Sequence, residues 1–245
     1  MRVTTAFFVA MLVAGCGAIN QSVQIEDGSR VEGNVGTVNG SVQIGSDCEI
    51  EGSVSNVNGS IQIGAASRVG AINNVNGSIS LAEGVQAQSV ETVNGRIGLA
   101  ENVSISGDLS TVNGRVEVAS NVTVSGDLGT VNGRIEIESG SRIMGEVAAV
   151  NGAITLTNAR IGSLHGGNGD ISVLGGSVID GELRVRETRN EPSEPPRVVI
   201  GRNARVGGPL VFEQGVDLHV HESAEIGAIE GAEARFFSGD EPDDR

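Results

Sequence analysis

The chain has 245 residues, a formal net charge of −15, 37 Gly, five Phe and neither Trp nor Tyr, and all 16 of its basic residues are Arg. The acidic balance excludes the electrostatic footprint of a nucleic-acid-binding protein, and 38% hydrophobic against 19% charged residues excludes an acidic disordered chain. A core must therefore be built from Val, Ile, Leu and Ala without rings, which suits a thin, repetitive β architecture better than a globular enzyme.

The chain opens on a basic Met1-Arg2, then an apolar run from Ala6 to Val13, then the small residues Ala14, Gly15, Cys16 and Gly17. This is the layout of an export signal, and the run is too short to span a bilayer. Val13-Ala14-Gly15-Cys16 resembles the bacterial lipobox. The resemblance implies that residues 1–15 are a signal peptide and that Cys16 is acylated, with residues 16–21 as a short tether. Gly17, in place of Asp, implies sorting to the outer membrane, with the periplasmic or surface face left open. Several acyl chains on Cys16 would meet the need for more than one lipid signal. Cys48 is the only other cysteine, so no internal disulfide is expected after processing.

Asn-Gly recurs at Asn39, Asn58, Asn76, Asn94, Asn113, Asn132, Asn151 and Asn168, at steps of 17 to 19 residues, and an earlier copy begins at Asn20. Such a period means a solenoid. In the copy from Val93 to Thr111, apolar residues fall at Val93, Ile97, Leu99, Val103, Ile105 and Leu109. Alternation within the pairs is the strand period, and the pairs return about every six residues. Each copy therefore reads as three very short strands joined by three corners. Val112, Val116, Val118, Val122, Val124 and Leu128 repeat the same apolar columns, with Cys48 and Ser67 standing in the column of Val103. The expected fold is all-β: a single three-sided parallel β-helix of about eleven coils of 18–19 residues. Asn-Gly is expected at one corner, where both residues tolerate positive φ, with the Asn side chains stacked in a ladder.

Residues 22–186 carry the repeats. Glu187 to Pro196 holds three of the five prolines, so residues 187–197 are expected to leave the solenoid as a loop. Apolar pairs return over residues 198–237, with Phe236 and Phe237 expected to close the last core layer. Residues 238–245 read as a disordered acidic tail.

The motif V-N-G-[SRA]-[IV]-x-[ILV] with [VI]-x-G-x-[LV] between, over residues 22–235, resembles the bactofilin or polymer-forming cytoskeletal family and, equally, β-solenoid adhesins. The bactofilin resemblance implies a right-handed helix, end-to-end polymerisation and a scaffolding role. The export signal departs from the cytoplasmic members. Asn20 lies only four residues after Cys16, a reach of roughly 14 Å, so the N-terminal end is expected close to the bilayer and the molecule to be a tethered monomer or small oligomer.

Few residues suggest chemistry. Asp217, His219 and His221 alternate with Leu218 and Val220 and are expected on one outward face, a weak candidate for a metal. His165 stands alone at an irregular corner and is expected to be exposed. Gly166-Gly167-Asn168-Gly169-Asp170 is similar to a calcium-binding nonapeptide but one residue short and present once. Asp108, Asp127 and Glu146 share one column, a repulsive arrangement that invites a cation, and Arg96, Arg115 and Arg134 form another beside Glu117 and Glu136. No Ser-His-acid cluster or phosphate loop is evident, so no catalysis, cofactor or small-molecule substrate is expected. The function expected is a non-catalytic, membrane-anchored envelope scaffold or spacer, or alternatively an adhesin-like module that binds through its loop or charged faces. The partners expected are the membrane through the lipid and a protein or second copy, with no nucleic acid.

Overall fold

In the computed structural model, which describes residues 20–188 and 194–242, each repeat winds once around a narrow core. One coil is made of the strands Ile97–Leu99, Ser104–Ile105 and Leu109–Asn113. Twelve first-face strands, from Val23–Ile25 to Ala234–Phe237, form one parallel sheet, and nineteen strands on the other two faces form the second. The result is a β-solenoid of about eleven turns with coils near 19 residues, and no helix among the described residues. At about 4.8 Å per coil the rod is roughly 50 Å long.

Register is like on like: Ile97 stands on Val116, Val116 on Ile135 and Ile135 on Ile154, all fully buried. Branched aliphatics suit this pleated, enclosed setting. Cys48 and Ser67 are buried as well. Ser67 remains satisfied because its Oγ accepts the Cys48 N–H at 3.0 Å and donates to the Gly45 carbonyl at 2.9 Å. Val198 is the next-coil partner of Ile171, 27 residues further along the chain; of the loop expected at 187–197, residues 189–193 lie outside the described residues.

Two expectations about the repeat are corrected. Val93 and Val112 do not line the core. In Leu109–Asn113 it is Leu109 and Thr111 that point inward, and Val112 is 40% exposed. The valine of every Val-Asn-Gly motif from Val38 to Val150 shares this fate, forming one exposed stripe along the rod. The second correction concerns the corners. Left-handed backbone lies mainly at a different corner, at residues such as Asn102 (φ 61°), Asn121 (φ 60°) and Gly140 (φ 76°). Along the Asn-Gly corner positive φ is confined to Asn20, Gly40, Gly59 and Gly77. Elsewhere along it, glycine answers to crowding: a Cβ on Gly133 would stand 1.7 Å from the Gly114 carbonyl oxygen of the coil beneath.

Phe236 stands on Val220 in the core column and is 65% exposed, since no further coil covers it among the described residues. Phe237 turns to the outer surface and meets His221 edge-on, ring centroids 5.1 Å apart. Only one of the two rings therefore lies on the last layer.

Candidate functional site

Cys16, the expected lipid attachment point, lies outside the described residues, as do the expected signal peptide at 1–15, the first part of the expected tether and the residues beyond Pro242. Where the tail is described it folds back on the rod. The Ser238 carbonyl lies 3.3 Å from His221 Nε2, Asp240 pairs with Arg202 at 3.1 Å, and the Pro242 carbonyl accepts from Arg197.

The Asn-Gly corner does build a ladder. Nine asparagines from Asn20 to Asn168 pass Nδ2–H···Oδ1 hydrogen bonds coil to coil, those above Asn39 measuring 2.8 to 3.1 Å, and Thr188 Oγ1 extends it by donating to Asn168 Oδ1. Each amide is donor to one neighbour and acceptor from the other, which a stack of identical coils provides automatically. Each rung contributes about 1 kcal/mol or less.

The charged columns are also built by stacking. Glu117 pairs with Arg96 and Arg115, and Glu136 with Arg134. These exposed pairs are worth about 1 kcal/mol or less each. The acidic column is held differently. Asp108 Oδ1 accepts the Asp127 N–H at 2.9 Å, and Asp127 Oδ1 accepts the Glu146 N–H at 2.8 Å. Backbone donors thus satisfy one oxygen of each aspartate.

His165 is not exposed: its side chain is 11% accessible and wedged between two carboxylates, with Nδ1 2.8 Å from Glu146 and Nε2 3.0 Å from Glu182. Arg186 also reaches Nδ1, at 3.0 Å. Glu182 continues the network to Arg184, which bridges onward to Glu213. The Arg184 hydrogen bonds, then that of His165, hold the Glu182 carboxyl down at about 2. Glu213 is likewise lowered by Arg184. A depressed carboxyl stabilises the fold fully above its unfolded value, near 4.5, and loses that contribution as pH falls through about 2. Glu182→Gln should therefore lower stability at pH 6, with the deficit shrinking from pH 4.5 downward and nearly gone at about pH 2. Urea melts across that range would show it, and a deficit that persists unchanged at pH 2 would contradict the ion-pair assignment.

Asp217, His219 and His221 do lie on the face opposite the core, but they are not solvated. His219 and His221 are 7% and 6% exposed, because the last coil and the returning tail cover them. Asp217 contacts His219 at 3.0 Å and Arg235 at 3.2 Å. His221 Nδ1 accepts the Ser223 N–H at 3.0 Å, and its ring edge meets Phe237. The three side chains do not converge, and no group of three metal-ligating side chains with suitable geometry occurs among the described residues. The nonapeptide-like segment is occupied too: Asp170 Oδ1 accepts the Arg197 N–H at 2.8 Å and the Gly167 carbonyl accepts from Gln214 at 2.8 Å.

What sequence reasoning missed is the Val-Asn-Gly valine stripe as a surface, and its position. On the same face, two residues before each valine, stand Glu91, Ser110, Gly129 and Ala148 in register, with the acidic column two residues further back. Over the coils of Asp108, Asp127 and Glu146, carboxylates, small residues and valines therefore run side by side on one face, whereas in the coil of Val93 the first position is Ser89 and the second is Glu91. No family model matches the chain, and neither the curated proteins nor the solved structures contain a match to it.

Proposed function

We propose that the protein is a non-catalytic rod held to the bacterial outer membrane by a lipid on Cys16, serving as a scaffold or spacer in the cell envelope. The observation that carries this reading is the Asn20-to-Asn168 ladder. It runs unbroken through most of the rod, beside core columns that repeat from coil to coil. Each coil contacts its neighbours above and below, so length and stiffness scale with repeat number. The sequence supports the anchor through the apolar run and Val13-Ala14-Gly15-Cys16. The adhesin-like alternative draws its support from the exposed valine stripe, since apolar surface arranged in register is a mark of partner contact.

Anchoring is tested by Cys16→Ser in cells fed a labelled fatty acid. The substitution should abolish labelling and move the protein out of the membrane fraction. Continued acylation would refute the assignment of Cys16.

A further inference from the structure

His165 faces two demands that one ring cannot meet at once. It stands between Ala148 of the coil below and Arg184 of the coil above, on the outward side of its strand. Nε2 lies 3.0 Å from Glu182 Oε1. Glu182, held down at about 2 by Arg184 and then His165, is an ionised carboxylate that only accepts. Nε2 therefore carries a proton. Nδ1 faces two groups of opposite kind. Arg186 Nη2, 3.0 Å away, can only donate and needs the bare lone pair of the ring. Glu146 Oε2, 2.8 Å from the same nitrogen, can only accept and needs a proton there.

The surrounding charges leave room for that second proton. Glu146 comes from the coil below the ring, and Glu182, Arg184 and Arg186 from the coil above. Glu213 comes from the coil beyond, where it pairs with Arg184 at 2.8 Å and is also influenced by the charge of Arg186. The cluster thus holds three carboxylates and two guanidinium groups, and an imidazolium would bring it to neutrality. The next charged groups out are engaged elsewhere. Asp127 accepts the Glu146 N–H, Asp180 is taken by Arg160 at 2.7 Å, and Glu187 offers its backbone N–H to Glu213.

We propose that His165 is a proton-operated switch: when the ring is neutral Nδ1 accepts from Arg186, and when it is protonated Nδ1 donates to Glu146 and releases Arg186 toward Glu213. Histidine is the side chain whose charge ordinarily changes between roughly pH 5 and 8. A second ring proton removes the lone pair that holds Arg186 and places a like charge 3.0 Å from it. Glu213 is at hand to receive the guanidinium, since its N–H is bonded to the Val185 carbonyl beside Arg186. The switch swings one positive charge from the coil below Arg186 to the coil above it. It does so just before Glu187 and Thr188, where the excursion begins. The proposal stands independently of the lipid anchor.

The test is nuclear magnetic resonance of the 15N-labelled full chain in detergent, titrated from about pH 8 to about pH 5. The chain has three histidines, which substitution assigns. At the alkaline end His165 should show a protonated Nε2 and a bare Nδ1, and at the acid end two protonated nitrogens. The Arg186 side-chain signals should move with the same midpoint. Glu146→Gln replaces the charge that favours the imidazolium and should move that midpoint down by about one pH unit. Arg186→Gln removes a like charge and should move it up by about as much. His165→Gln keeps an oxygen that can accept from Arg186 but cannot titrate in this range, so the Arg186 signals should then stay still. Melting curves of each variant confirm that the coils are intact. A ring that stays singly protonated at the acid end, or already carries two protons at the alkaline end, would overturn the proposal. So would protonation that leaves the Arg186 signals unmoved, or midpoints that shift in the same direction in Glu146→Gln and Arg186→Gln.

Discussion

Ile105→Asp is expected to destroy the central coils, while Ser104→Asp, one residue away, leaves them standing. Ile105 is fully buried, stacked between Ala87 and Val124, whereas Ser104 is exposed between Gln86 and Thr123. A carboxylate at position 105 would enter an aliphatic layer with no counter-charge, and a cost of about 4 kcal/mol or more is expected. At position 104 it would meet water, and the change should stay within about 0.5 kcal/mol. A solenoid propagates such damage, because each coil is held only by its two neighbours. Urea unfolding followed by circular dichroism would separate the two variants, and equal midpoints would refute the alternation of inward and outward residues on the second face.

Gly133→Ala should be nearly as severe, for a different reason. The added methyl would collide with the Gly114 carbonyl oxygen, 1.7 Å away, and that obstacle is backbone. Relief requires the two coils to part at the corner. Parting them breaks the Gly114 N–H bond to the Asn132 carbonyl and the Asn132 side-chain bond to Asn113. A loss of about 3 kcal/mol is expected, at the upper end of overpacking costs. Gly98 supplies the control, since a Cβ there meets nothing within 4 Å. Gly98→Ala should be neutral or stabilising by up to about 1 kcal/mol, because alanine has less freedom to lose. Amide exchange would locate the Gly133→Ala lesion as faster exchange at residues 113–133. Similar stabilities for the two alanine variants would show that the corner is not close-packed.

The fold was legible because stacking repeats its demands. Every coil asks for the same inward residues, so Ile97/Leu99 and Val116/Val118 print the first face twice over. The aspartate column was legible for the same reason. Phase was lost at corners. Alternation from Ile97 and Leu99 does not extend back through Asn94, Gly95 and Arg96, so nothing local shows that Thr92 faces in and Val93 out. The apolar valine was the natural choice for the core and the wrong one. His165 was hidden by a shift in register between Ile143 and Glu146, after which the next coil is two residues shorter. That shift places His165 above Ala148 and beside Glu146. His219 and His221 are covered by the last strand, Ala234–Phe237, and His221 also meets the Ser238 carbonyl of the returning tail, a contact that no periodicity announces.

The asparagine ladder bears on how long such a molecule can last. Asn-Gly is a chemically fragile dipeptide, because the glycine nitrogen can attack the asparagine side-chain amide carbon and expel ammonia, closing a succinimide that water then opens to aspartate or isoaspartate. In this rod the attacking nitrogens are engaged elsewhere: Gly59, Gly95 and Gly114 donate to the carbonyls of Asn76, Asn113 and Asn132 in the next coil, at 2.9 to 3.0 Å. The amide carbons are held as well, each side chain fixed between two others. Ring closure would require both restraints to break together. The sequence feature that would shorten the life of an unfolded chain is thus locked by the coil-to-coil bonds that build the rod. Ageing of the protein should begin where coils fray at its ends and advance inward, each new carboxylate repelling the oxygen of the rung beside it.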